Sequence, residues 1–217
     1  MSRENILHRV RTALGRSAGE PVPPPPPVRI RVSGPDGEAR IVSMLRRVEA
    51  LAGTAIRTTD PLAAVAAMVE GKRAVASNAP FLSECGITAL PGVCSGITDC
   101  EELRAVCASA DIGITSVDYA LADTGTLVML STPSEARMIS LLPPAHIAVV
   151  PAGRLLSGLD ELFSLLPNPA DISSSMVLIT GPSRTGDIEQ ILVRGVHGPG
   201  RITVVVAESC LPSLVNK

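Results

Sequence analysis

Short apolar runs rich in β-branched residues recur along the chain. RAVAS (73–77), DIGIT (111–115), TLVMLS (126–131), HIAVVP (146–151), MVLITG (176–181) and RITVVV (201–206) each have strand length. Several are apolar without alternation, the pattern of strands covered on both faces, as in parallel sheets flanked by helices. Helical stretches fall between many of them. Ile41, Met44, Leu45, Val48 and Leu51 mark one helix, before a short strand at TAIR (54–57). Asp60-Pro61 supplies an N-cap and a proline at the first helical position for LAAVAAMVEG. Further helices are predicted around 99–108 and 158–166. This order predicts an α/β layered fold with a largely parallel sheet.

Residues 4–14 carry Ile6, Leu7, Val10 and Leu14 at helical spacing, between Ser2 and Gly15. PVPPPPPV (21–28) then reads as an extended polyproline spacer. The expected organisation is an N-terminal helical arm and proline-rich linker over 1–28, then one α/β domain over 29–217. The arm is open to packing on its own domain, on a twin subunit in a homo-oligomer, or on another protein.

Composition narrows the function classes. The chain has 217 residues, only three of them aromatic (Phe81, Tyr119 and Phe163), and a net charge of −2. Few stacking platforms and no basic excess argue against nucleic-acid binding. No apolar run reaches the roughly 20 residues that span a bilayer. MSRENILHRVRTALGR lacks the uninterrupted apolar region of a signal peptide. Cys85, Cys94, Cys100 and Cys107 form no C-x-x-C pair, so no metal site is expected. Cys100 and Cys107 read as thiols buried on one helix face. Five cysteines in a chain that needs no staples suggest reduced thiols and a cytoplasmic location.

In open α/β sheets ligands bind beyond the carboxyl ends of strands, and three polar segments follow apolar runs. Asp123-Thr124-Gly125-Thr126 is either a turn or an acceptor/donor set, with Asp123 a candidate base. Ser134, Glu135 and Arg137 read as a helix start, with Arg137 facing a pocket or solvent. GPSRTGD (181–187) offers the most: Gly181 for close approach, Ser183 and Thr185 as hydroxyl donors, and Arg184 for bidentate recognition of an oxyanion. Successive N–H groups near Gly186 suit an anion nest. Asp187 would orient Arg184 or cap a helix over DIEQILVRG, and Glu189 is a second candidate base. His197, in VHGPG, is either a proton carrier or a structural hydrogen-bonding residue.

GITSVDYALADTGTLVMLS (113–131), LLPPAHIAVVP (141–151) and ITGPSRTGDIEQILVRGVHGPGRITVVV (179–206) together resemble the LUD-domain family, and within it the LutC-like lactate-utilisation group. The likeness extends over roughly residues 30–207. Asp123 stands where the family usually shows Glu, and Gly186 where it often shows Ala. The resemblance implies a fold similar to the sugar-isomerase/CoA-transferase superfamily. It also implies a part in oxidising L-lactate to pyruvate, beside partner proteins that carry the iron–sulfur clusters, with no cofactor assigned to this chain. On that reading a small carboxylate or other anionic ligand pairs with Arg184, with Ser183, Thr185 and Gly181 beside it and Asp123 and Thr126 opposite. The alternatives are a stand-alone isomerase or CoA-transferase-like enzyme, using Asp123 or Glu189, and a non-catalytic scaffold for the iron–sulfur partners.

Overall fold

The computed structural model describes residues 2–15, 17, 19, 21, 37–186 and 192–208. Helix α1 (Arg3–Leu14) is capped as its sequence predicts: Ser2 accepts from the Asn5 N–H, and Gly15 takes φ +63° at the other end. None of its residues is buried.

Helix α2 (Gly37–Ala50) buries Ile41, Met44 and Val48 and leads to strand β1 (Thr54–Thr58). Helix α3 (Pro61–Val69) opens on the Asp60 cap, whose Oδ1 accepts the Ala63 N–H at 3.0 Å. Next come β2 (Ala74–Ala76), α4 (Pro80–Glu84), β3 (Val93–Cys94), α5 (Cys100–Ser109) and β4 (Ile112–Ser116). After β5 (Tyr119–Leu121) and β6 (Thr126–Leu130) the chain forms α6 (Arg137–Leu141) and β7 (Ala145–Pro151). The remaining elements are β8 (Leu155–Leu156), α7 (Leu159–Leu165), β9 (Met176–Ile179), the pair β10 (Arg184–Gly186) and β11 (Leu192–Arg194), and β12 (Arg201–Ala207).

Six strands form a wholly parallel sheet in the order β1-β12-β7-β4-β2-β3. Alternation sends Ala74, Ile114, Ile147, Val149 and Val205 to one face, where they pack with Val65 of α3 and Leu82 of α4. Ala148, Val150, Ile202, Val204 and Val206 point to the other face, against Met44 and Val48 of α2 and Leu127 and Met129 of β6. Those two β6 residues belong to a second, four-stranded sheet, β8-β5-β6-β9, which is mixed rather than parallel. Its outer side packs on Leu162 of α7. The architecture is layered α/β, with α3 and α4 covering one face of the parallel sheet, and α2, α5, α6 and the small sheet covering the other. TLVMLS and MVLITG thus build the second sheet, which their apolar content alone does not distinguish from the first.

Two glycines fix the layers. A Cβ at Gly113 on β4 would lie 1.9 Å from the Ile139 carbonyl oxygen, so the α6 backbone rests directly on the strand. Gly125 takes φ +73° in the β5–β6 turn, where a Cβ would lie 2.8 Å from Cβ of Arg47 on α2.

The hairpin β10–β11 corrects one expectation. Leu192–Arg194 is an antiparallel strand, paired Thr185 to Val193, where a capped helix through 187–195 was predicted. Cys107 is buried as expected, whereas Cys100, at the start of α5, is exposed.

Candidate functional site at the carboxyl rim of the parallel sheet

At the carboxyl ends of β2 and β4 the chain switches from apolar to polar. Ser77 follows β2 directly. It is fully buried, and its N–H donates to the Ile114 carbonyl at 2.9 Å, continuing the ladder by one residue. Asn78 then pins two loops: its N–H donates to the Ser134 carbonyl, its Nδ2 donates to Ile97 O at 2.9 Å, and its Oδ1 accepts the Gly96 N–H at 2.7 Å. The loop after β6 is tied to this rim. Within it the Glu135 N–H meets the Thr132 carbonyl and hydroxyl, each at 3.1 Å.

These ties press Glu135 into the protein at 7 % exposure. Its Oε2 accepts the Ser77 hydroxyl at 2.8 Å, and its buried Oε1 has no hydrogen-bond partner among the described residues. Burial pushes the carboxyl up to about 8, with the negative charge of Asp118 adding to it. The Ser77 hydrogen bond and the Arg154 guanidinium oppose the rise without cancelling it. Asp118 is itself held in place, its Oδ2 accepting the Leu130 N–H at 2.7 Å. Arg154, just after β7, donates to the Val117 carbonyl at 2.9 Å. Ser116, Asp118, Glu135 and Arg154 line a cavity of about 240 Å³. A carboxyl with this pKa exchanges its proton near neutral pH, as a general acid or base must.

The segment that looks strongest in the sequence lies elsewhere. Strand β9 belongs to the small sheet, so GPSR does not emerge at the carboxyl rim. Ser183 pairs through its N–H with the Pro199 carbonyl and through its carbonyl with the Gly195 N–H, and Gly200 donates to Pro144. Pro144 and Gly200 immediately precede β7 and β12, which places Ser183 and the His197 turn at the amino rim of the parallel sheet. Arg184 is exposed and donates to the Leu51 carbonyl beyond α2. Gly181, at φ +84°, packs on Leu51 as well. Thr185 sits in β10 and His197 is exposed. Asp187 and Glu189 lie outside the described residues.

Thr124, Thr126 and Thr180 form a hydroxyl row with 2.8 Å spacings, joining the start of β6 to the end of β9. Gly125 makes the turn, and Asp123 is exposed beside Gly158. Among the described candidates only Arg137, the first residue of α6, shares a cavity with Glu135. The helix-start reading of Ser134 is replaced: Ala136 occupies the cap and Ser134 belongs to the loop. Ser77, Asp118 and Arg154 had no motif to mark them. What does mark them is position, since each directly follows or closely trails an apolar run.

The sequence pattern of the LUD domain matches residues 46–207. The chain belongs to the LUD-domain family. The matched span starts within α2 and takes in both sheets and the Glu135 rim. Lactate utilization protein C of Halalkalibacterium halodurans is 41% identical over 115 residues, 51% of this chain and 50% of that protein. Lactate utilization protein C 1 of Bacillus mycoides is 35% identical over 117 residues, 52% and 50% of the two chains. The LUD-domain chain therefore spans about half the length of the curated relatives it matches. A DUF162 family protein from Deinococcus radiodurans has the same fold, with a TM-score of 0.59 at 19% identity over 80% of this chain and 99% of that one.

Among the described residues no group of three or more His, Cys, Asp or Glu is placed to hold a metal ion, and no helix is long and apolar enough to cross a membrane.

Proposed function

We propose that this LUD-domain chain is a LutC-like component of a cytoplasmic lactate-utilising system and binds a small 2-hydroxy or 2-oxo acid beside Glu135. The observation that carries the reading is the buried carboxyl of Glu135, held near a pKa of 8 in a cavity it shares with Arg154 and Asp118. The relatives named lactate utilization protein C supply the substrate class. Arg154 is the counter-charge for the ligand carboxylate, and neutral Glu135 donates a hydrogen bond from its free oxygen to the 2-oxygen.

Oxidation of L-lactate to pyruvate breaks the C2–H and O–H bonds and releases two electrons and two protons. On this reading ionised Glu135 takes the hydroxyl proton, and the C2 proton is released to solvent as the two electrons leave. We assign the electrons to iron–sulfur partner proteins, so the chain acts as a component and not as a self-sufficient oxidoreductase. No cofactor is assigned to it.

A second reading is favoured by the unpartnered Oε1 of Glu135: a stand-alone isomerase or CoA-transferase-like enzyme in which that oxygen is base or nucleophile. Turnover of an acyl-CoA or a phosphosugar by the purified chain would replace the first reading with this one.

Calorimetric titration with L-lactate and pyruvate tests the site. Arg154→Ala is expected to remove binding, and Arg184→Ala to retain it. The opposite result, with both variants folded, would move the anion site to the amino rim and end the Glu135 reading. Lactate-dependent electron transfer is expected only when the copurifying partners are present.

A further inference from the structure

Glu135 and Thr132 line a second, wider cavity of about 670 Å³, bounded by α5, α6 and Ser174–Ser175. Asp118 and Arg154 do not reach it; they line only the smaller one. Two cations do: Arg104 from α5 and Arg137 from α6. Neither guanidinium has a hydrogen bond or an ion pair among the described residues. Among the described residues the only carboxylate in the lining is Glu135, whose burial favours its protonated form. The Ser131 Oγ and the Glu135 Oε1, both buried and both without a partner, belong to residues of the same wall.

A cavity in this range accommodates a ligand far larger than the six heavy atoms of lactate. Both arginines are exposed at the cavity edge, and two guanidinia without a partner among the described residues, each with a fork of N–H donors, match a phosphate or a carboxylate. Met138, Leu141 and Leu142 add an apolar side to the cavity, suited to a short carbon skeleton between two charged ends. We infer that the wide cavity is a second oxyanion subsite, so that the ligand is a two-headed acid: one carboxylate beside Glu135 and Arg154, and a phosphate or second carboxylate at Arg104 and Arg137. This rests on the proposed reading of the Glu135 rim and extends it from a monoanion to a longer ligand.

The test uses the full chain and three probes: L-lactate with one head, L-malate with a second carboxylate, and 3-phosphoglycerate with a phosphate. At least one two-headed probe should bind about tenfold more tightly than L-lactate. Arg104→Ala should reduce that ratio to about threefold or less while L-lactate affinity stays unchanged. Because Arg104 is exposed, retained L-lactate binding also reports that the variant is folded. No gain for either two-headed probe, or a gain that survives Arg104→Ala, overturns the second subsite. If wild-type protein ignores L-lactate but binds a two-headed probe through Arg104, the lactate reading fails and the subsite stands. The preferred probe identifies the second head as phosphate or carboxylate.

Discussion

Replacing Glu135 by Gln removes one titratable proton from the middle of the site and leaves its shape nearly unchanged. In the folded chain the carboxyl holds its proton up to about pH 8; in the unfolded chain it ionises at its ordinary value of 4.5. Between those values the folded state binds one proton more than the unfolded state, so stability falls as pH rises through the window. The stabilisation is complete below 4.5 and gone above about 8. The slope is about 1.4 kcal/mol per pH unit. Carried from 4.5 to about 8, it comes to about 5 kcal/mol. Glu135→Gln has no such proton, so its stability relative to wild type should climb along this slope. Urea unfolding at half-unit steps from pH 5 to pH 9 reads it directly. Any hydrogen bond that the amide loses shifts the whole difference by a constant and leaves the slope intact. Parallel curves for the two proteins across pH 5–8 would refute the raised pKa, and with it the chemistry assigned to Glu135.

The neighbours should move that window in opposite senses: Arg154→Ala extends it to higher pH, and Asp118→Asn draws it lower, read as the pH at which the wild-type slope levels off. His146 is buried, 2.8 Å from the Thr115 hydroxyl, and burial lowers its pKa to about 4. The unfolded chain then binds the extra proton between about 4 and 6.5, so stability is lost as pH falls and His146→Leu should flatten that limb. Where the two windows overlap, from 4.5 to 6.5, the slopes of Glu135 and His146 cancel, and the wild-type curve should be level before declining toward pH 8. Gly113→Ala drives a methyl into the Ile139 carbonyl and should cost about 3 kcal/mol, the upper end of overpacking penalties, measured by denaturant midpoint.

The periodicity of the chain made most elements legible. The Asp60-Pro61 start of α3 and the placing of HIAVVP and RITVVV in a parallel sheet follow from local chemistry and from apolar runs without alternation, whereas their direct pairing does not. The division into two sheets did not, because TLVML is fully buried whether it lies in a parallel sheet or in a sheet packed on one. The candidate site was obscured for a related reason. GPSRTGD concentrates its polar residues in one stretch, whereas Ser77, Asp118, Glu135 and Arg154 are scattered over nearly eighty positions and meet only through strand order. Glu135 in particular looks like an ordinary residue of a helix start; what sets it apart is its burial, and burial is decided by loops pinned at Asn78 and Thr132.

The contact at Gly113 bears on how a ligand would be received. Helix α6 supplies Arg137, Met138 and Leu141 to the wide cavity, and its height above the sheet is set where peptide backbone meets peptide backbone. Such a spacing has no rotamers to adjust. The backbone of this wall is therefore ordered when the chain folds, and a ligand would have only its side chains left to order.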